Sequence, residues 1–216
     1  MNIELKKRFF TSFFLITLLF LMYIYSYVMI ISLIIIGVIT WVEFYALISK
    51  IILTKSLKSK FLRFIFKAAS LLYLSLLIFF IIVLESYYVN LKPYFIYTLL
   101  VAIFSDIGGL LFGKFFKGKK LTKISPNKTI TGSIGSFVLP FSLIPFFYAE
   151  LINYNNLTII MITVLVSLST QLGDLFISFL KRKAKVKHTS NILPGHGGFL
   201  DRVDGIIFAI PIGILL

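Results

Sequence analysis

Cysteine is absent from this sequence, and histidine occurs only twice, as His188 and His196. A disulfide framework, a thiolate metal site and a cysteine nucleophile are all excluded, and so is a site built from several histidines. Any metal would have to be held by hard oxygen ligands. Acidic residues are also scarce: 8 Asp plus Glu stand against 22 Lys plus Arg, for a formal net charge of +14. Yet 59% of the 216 residues are hydrophobic, 24 of them Phe, and the mean hydropathy is +1.00. A soluble domain is nearer half apolar and a quarter charged, so that class is excluded. A disordered basic tail is excluded too, because such chains lack the apolar surface that this one has in excess. What remains is an all-α, polytopic integral membrane helical bundle.

About 20 apolar residues are needed to cross a hydrocarbon core of roughly 30 Å. The run over residues 9–42 is too long for one crossing and is expected to break near Tyr25-Ser26-Tyr27. Further apolar runs cover residues 68–84, 94–112, 134–149, 157–180 and 203–216, the last only marginally long enough, giving about seven spans. Lys6-Lys7-Arg8 ahead of an apolar stretch resembles the start of a signal peptide, but no small-residue cleavage site follows, so an uncleaved first span is expected. Cytoplasmic loops retain Lys and Arg. Of the 22 basic residues, 21 fall before residue 9 or within 50–67, 114–128 and 181–202, and only Lys92 lies elsewhere. These are alternate connections, so the N-terminus is expected inside and the basic loops cytoplasmic. The same alternation accounts for the pI of 9.9 without a nucleic-acid partner. No repeat or linker divides the chain, so residues 1–216 are read as a single membrane-embedded domain. Residues 1–100 supply hydrophobic spans, and 101–216 carry the informative polar residues.

An ionisable group inside a span costs about 2.5 to 3.5 kcal/mol on insertion scales and usually marks function. Asp106 and Asp174 are the two that call for such an explanation, whereas Glu43, after Trp41, reads as a structural interfacial residue. Ser167, Thr170, Gln171, Asp174 and Ser178 share one helical face, continued by Lys181. Ser167 and Thr170 suit close helix packing, whereas a carboxylate is an expensive packing device. Gly108, Gly109 and Gly113 after Asp106 allow close approach of helices or of a ligand. They lead into a basic loop holding Ser125-Pro126-Asn127-Lys128-Thr129, a combination suited to a polyphosphate. Finally, Pro194-Gly195-His196-Gly197-Gly198 must be a loop, and it delivers Asp201 and Asp204 at i and i+3. If a helix starts near Phe199, both carboxylates share a face, a pattern suited to a divalent metal and phosphate chemistry. His196 taken alone fits a hydrogen bond within the turn as well as it fits chemistry.

Ser178-Phe179-Leu180-Lys181-Arg182, then Lys187, then the run from Pro194 to Asp204, closely resembles the C-terminal signature of the phosphatidate cytidylyltransferases. The segment from Asp106 to Gly135 is similar to that family's earlier motif, with Ser-Pro-x-Lys-Thr-x-x-Gly at its end. The likeness covers the last half of the chain. Before it, only a Trp-x-Glu near the second span matches. Three positions depart from the family pattern: His188 stands where an Asp is usual, Ile107 where a hydroxyl is usual, and Thr131 where an acidic or amide residue is usual.

The resemblance implies transfer of a cytidylyl group from CTP to phosphatidate, giving CDP-diacylglycerol and pyrophosphate, by an enzyme of phospholipid biosynthesis. The attacking phosphate is already mostly anionic, with a second pKa of about 6, so alignment and charge neutralisation matter more than a general base. Asp174, Asp201 and Asp204 are then expected to hold one Mg²⁺ or a metal pair, with Asp106 as a further contributor. Lys181, Arg182 and Arg202 would compensate phosphate charge. Ser125, Lys128, Thr129, Ser178, His196, Gly197 and Gly198 would line the substrates. The expected setting is a multi-pass protein of the cell membrane with its active site facing the cytoplasm, with a homodimer as an expectation. Two other readings are open: a different CTP-dependent lipid or polyprenol nucleotidyltransferase or kinase, and a small ion-coupled transporter.

Overall fold

The computed structural model describes residues 3–53, 56–87, 92–122, 124–149, 151, 155–195 and 197–215. Among these residues there is no β-strand; only two isolated bridges interrupt a helical chain. Contacts divide it into two compact units, each discontinuous in sequence.

The first unit comprises residues 1–87 and 180–202. Helix α1 (Ile3–Ile24) stops where Tyr25 adopts an extended backbone, and α2 (Ser26–Ile51) follows at once, so the long apolar run breaks at the expected place. Helix α3 (Leu57–Tyr87) packs against α2, and α2 against α1. Met29, Leu47 and Ile48 of α2 and Leu74 and Ile81 of α3 are buried, while Phe9, Phe10, Phe61 and Phe64 stand out from the surface. Such exposure would be costly in water and is ordinary where the surrounding solvent is hydrocarbon.

The second unit comprises residues 88–179 and 203–216. Helix α4 (Lys92–Phe116) crosses α5 (Ile130–Val138) on a patch of glycines. A Cβ at Gly108 would lie 2.3 Å from the Gly135 carbonyl oxygen, and one at Gly132 would lie 2.6 Å from the Gly109 oxygen. The glycines read from the sequence as candidates for helix or ligand approach are thus used for helix approach. After α5 the chain tightens through a 3₁₀ turn (Leu139–Leu143) into α6 (Ile144–Phe147), with Pro140 and Pro145 near their starts, where a missing N–H costs least.

Helix α7 (Asn156–Lys183) is capped by Asn155, whose side-chain oxygen accepts the Thr158 N–H at 2.7 Å, and ends on Lys181, Arg182 and Lys183, which suit the negative end of the helix dipole. Tyr97, Val101 and Ala102 of α4, Ile159, Ile162 and Val166 of α7, and Ala209 form this unit's core. The buried Tyr97 hydroxyl is paired with Thr163 at 2.6 Å. Thr170 is fully buried and donates back to the Val166 carbonyl, the packing role expected of it.

Five helical segments are long and apolar enough to cross a membrane: Ser26–Ile51, Leu57–Leu84, Pro93–Phe116, Ile130–Phe147 and Asn156–Lys183. The apolar part of α1, Phe9–Ile24, is shorter, and α9 (Ile206–Leu215) has ten residues, about 15 Å of helix. The count of seven spans is therefore not reached by length and composition among the described residues. The shortfall lies in the two terminal segments, whose apolar runs are the shorter ones.

Candidate functional site

Two polar centres emerge, one in each unit. In the first, α7 ends and the chain reverses through Lys185, which sits at φ 57, into a loop that reaches α8 (Leu200–Val203). Leu193 and Gly197 exchange backbone hydrogen bonds at 2.8 and 3.1 Å, closing a tight turn. Gly195 at φ 77 and Gly197 at φ 88 occupy the left-handed region that this reversal needs. His196 lies outside the described residues.

The turn delivers Asp201, whose side chain is only 5% exposed. Lys181 donates to its Oδ1 at 2.7 Å. The backbone N–H groups of Thr189 and Gly198 donate to Oδ2 at 3.0 and 3.1 Å, and His188 Nδ1 lies 3.5 Å from the same oxygen. Burial pushes this carboxyl up, but the Lys181 ammonium and the two N–H donors outweigh burial and hold it below the usual carboxylate range. Asp201 is therefore a fixed anion, and Gly198 serves as one of its clamps.

The side chain that secures this loop was not singled out for function in the sequence. Glu43 on α2 is 2% exposed, and its carboxylate accepts four hydrogen bonds from the loop and α8. Thr189 Oγ1 donates at 2.7 Å, Ser190 Oγ at 2.6 Å, and the N–H groups of Phe199 and Leu200 at 2.9 Å each. A Cβ at Gly198 would fall 2.5 Å from Glu43 Oε2, so only glycine allows this approach. Glu43 is structural, as expected, and its carboxylate is buried within the protein. The available signal was the Trp-x-Glu pattern late in an apolar helix.

In the second unit, the basic loop after α4 is closed by hydrogen bonds from Leu121 N to the Lys128 oxygen and from Ile130 N to the Lys119 oxygen, at 2.8 and 2.9 Å. Thr129 caps α5 by accepting the Gly132 N–H at 3.0 Å, and Ser125 accepts the Lys128 N–H at 3.0 Å through its carbonyl. Thr131 occupies its departing position by accepting the Gly118 N–H at 3.2 Å. Lys128 forms an ion pair with Asp174, which also accepts from Ser178 at 3.2 Å. Ser133 donates to Gln171 at 2.6 Å. The polar stripe of α7 thus meets the basic loop through Asp174 and α5 through Gln171.

Asp204 is buried and accepts the Gly205 N–H at 3.0 Å. Asp204 follows α8 directly, in the turn between Val203 and Ile206. Asp106, Arg182 and Arg202 have exposed side chains. Among the described residues, no three His, Asp or Glu side chains come together as a metal-ligand group. Separate carboxylates are the donor set of the mode in which one or two acids and a substrate's own phosphate oxygens would share an ion such as Mg²⁺.

These features define a helical membrane protein whose polar loops oppose fixed carboxylates to lysines, an arrangement suited to phosphate chemistry. The sequence model of the Cytidylyltransferase family matches residues 2–216. Among curated proteins, the chain is 42% identical over 138 residues to the phosphatidate cytidylyltransferase of Rickettsia typhi, covering 59% of this chain and 58% of that one. It is 46% identical over 129 residues to the one from Rickettsia bellii, 55% of this chain and 53% of the relative. With the one from Staphylococcus haemolyticus it shares 40% over 122 residues, 55% and 46% of the two chains. The chain belongs to the Cytidylyltransferase family, and it spans about half the length of these curated relatives.

Proposed function

We propose that this protein transfers the cytidylyl group of CTP to phosphatidate, forming CDP-diacylglycerol and pyrophosphate. The observation that carries this reading is the clamped Asp201, a buried anion held by Lys181 and two backbone N–H groups in the glycine-rich segment that resembles the family signature. Membership of the Cytidylyltransferase family and the names of the relatives support it.

In the reaction, a phosphate oxygen of phosphatidate attacks the α-phosphorus of CTP. The bond from that phosphorus to the bridging oxygen breaks, and pyrophosphate leaves with the electron pair. Both partners are anionic, so the site must lower their repulsion and align them. Lys128, in the closed basic loop, is placed to receive phosphate when it exchanges Asp174 for a substrate oxygen. Lys181 does the same beside Asp201, while Arg182 and Arg202 offer exposed guanidinium groups at either end of the signature. Mg²⁺ bound by Asp174, Asp201 or Asp204 together with substrate phosphate would supply further charge neutralisation. The bias of Lys and Arg toward cytoplasmic loops supports a site at the cytoplasmic face of the cell membrane, where CTP and lipid would meet.

The test is label transfer by the purified protein in detergent. Label from the α-phosphate of CTP should enter lipid with phosphatidate as acceptor, require Mg²⁺, and fail with polyprenol phosphate. Label entering lipid from the γ-phosphate instead would make the protein a kinase and overturn the reading. Near-normal rates for Asp201→Asn would remove Asp201 from the site.

A further inference from the structure

Away from these centres, α2 and α3 carry a second concentration of positive charge that the proposed chemistry does not use. Lys67 on α3 is 8% exposed, and its ammonium lies 3.1 Å from the centroid of the Tyr45 ring on α2. Trp41, whose ring stands 5.5 Å from that of Tyr45, donates through Nε1 to the Lys67 carbonyl at 3.2 Å. Arg63, one turn before Lys67, lies within Coulombic reach of the Tyr45 hydroxyl, and its buried Nε has no hydrogen-bond partner among the described residues. Neither cation has a carboxylate within ion-pair distance among the described residues.

A buried ammonium without a counter-ion is costly, and the Tyr45 ring and hydroxyl offset only part of that cost. A buried guanidinium N–H without an acceptor adds to it. Both costs are relieved by one anion with several acceptor oxygens. The surroundings say which kind. Lys67 immediately precedes the apolar stretch that begins at Ala68, and Trp41 is the penultimate residue of the apolar run that ends at Val42, so the cluster lies at the end of both charge-free runs. Phe61 and Phe64, beside Arg63 on α3, are 67% and 68% exposed. A cation pair at that depth, with aromatic rings at the interface and apolar side chains alongside, has the chemistry of a phospholipid headgroup site.

We infer that Arg63, Lys67, Tyr45 and Trp41 form a binding site for the phosphate of an anionic phospholipid in the leaflet that the basic loops face. The inference does not depend on the proposed transferase activity, because binding here needs neither CTP nor the Asp174 and Asp201 centres.

Trp41 is the single tryptophan of the chain, so its emission reports on this site alone. The full chain in zwitterionic detergent is titrated with short-chain phosphatidylglycerol, with phosphatidylcholine of the same chain length, and with inorganic phosphate. A saturable change with phosphatidylglycerol only is expected. Lys67→Met and Arg63→Gln should each raise the half-saturating concentration about tenfold, as for loss of a charge-assisted hydrogen bond. Lys67→Arg should retain binding, and Lys50→Gln, an exposed lysine on the same helix as Trp41, should behave as the parent. An equal response to phosphatidylcholine would reduce the site to apolar contact, and an equal response to inorganic phosphate would make it a site for a free anion. Either outcome, or unchanged titrations in both variants, overturns the inference. If Lys67→Met fails to fold, Arg63→Gln decides the question alone.

Discussion

The Glu43 carboxylate accepts the backbone N–H of Leu200 at 2.9 Å, so the first turn of α8 hangs from a helix that ends before residue 52. Replacing Glu43 by Ala leaves the Phe199 and Leu200 N–H groups buried without acceptors, a cost of about 1 to 3 kcal/mol each. The variant should melt well below the parent and lose about 100-fold in turnover as Asp201 is displaced. Glu43→Gln keeps one acceptor oxygen and should fall between the two. Thermal melts in detergent and CDP-diacylglycerol formation measure both effects.

Lys128 and Asp174 should behave as a coupled unit. Lys128→Met and Asp174→Asn should each lower kcat/KM for CTP by about 100-fold, as when one preorganised electrostatic group is removed. The double variant should lose less than the product of the two losses, because each residue sets the charge that the other faces. Full additivity would mean that the ion pair has no part in the reaction.

Asp201 predicts the acid limb of stability. Its carboxyl is held below the ordinary value of about 3.9, so its contribution is complete above that pH and is lost as pH falls through the lower folded value. Melting temperature followed from neutral pH downwards should therefore drop for the parent at the acid end. Asp201→Asn should start lower and show a flatter acid limb. Lys181→Met, which removes the main counter-charge, should move the drop to higher pH.

Glycine positions in the two units should differ in tolerance. At Gly108 an added Cβ meets the backbone of Gly135, which cannot turn aside, so Gly108→Ala should cost about 1 to 3 kcal/mol of stability. At Gly37 the obstructing atom is the tip of Ile78, which can rotate, so Gly37→Ala should be neutral or slightly stabilising. Paired thermal melts of the two variants check this.

Much of this arrangement was legible in order along the chain. Charge-free runs located the long helices, and the first of them breaks at Tyr25, whose backbone is extended. The α7 stripe was legible from its spacing, and Asp174 does meet a cation from the basic loop. Contacts between distant segments were not legible. The four donors to Glu43 lie 146 to 157 residues further on, and nothing local to α2 announces them. Nor does spacing alone reveal that α8 ends at Val203, just before Asp204. The fine setting of Thr131, which replaces the family's usual polar group by a hydroxyl under Gly118, likewise depends on a backbone N–H that periodicity does not show.

The anchorage of α8 on Glu43 also bears on how the protein is made. At synthesis rates of about 5 to 20 residues per second, the 157 residues that follow Glu43 up to and including Leu200 take roughly 8 to 30 s to emerge. Throughout that interval α2 carries a carboxylate whose eventual donors do not yet exist. The ribosome therefore delivers the lock of the glycine-rich loop well before its key, and the Asp201 centre is completed only when residues 189–201 have followed.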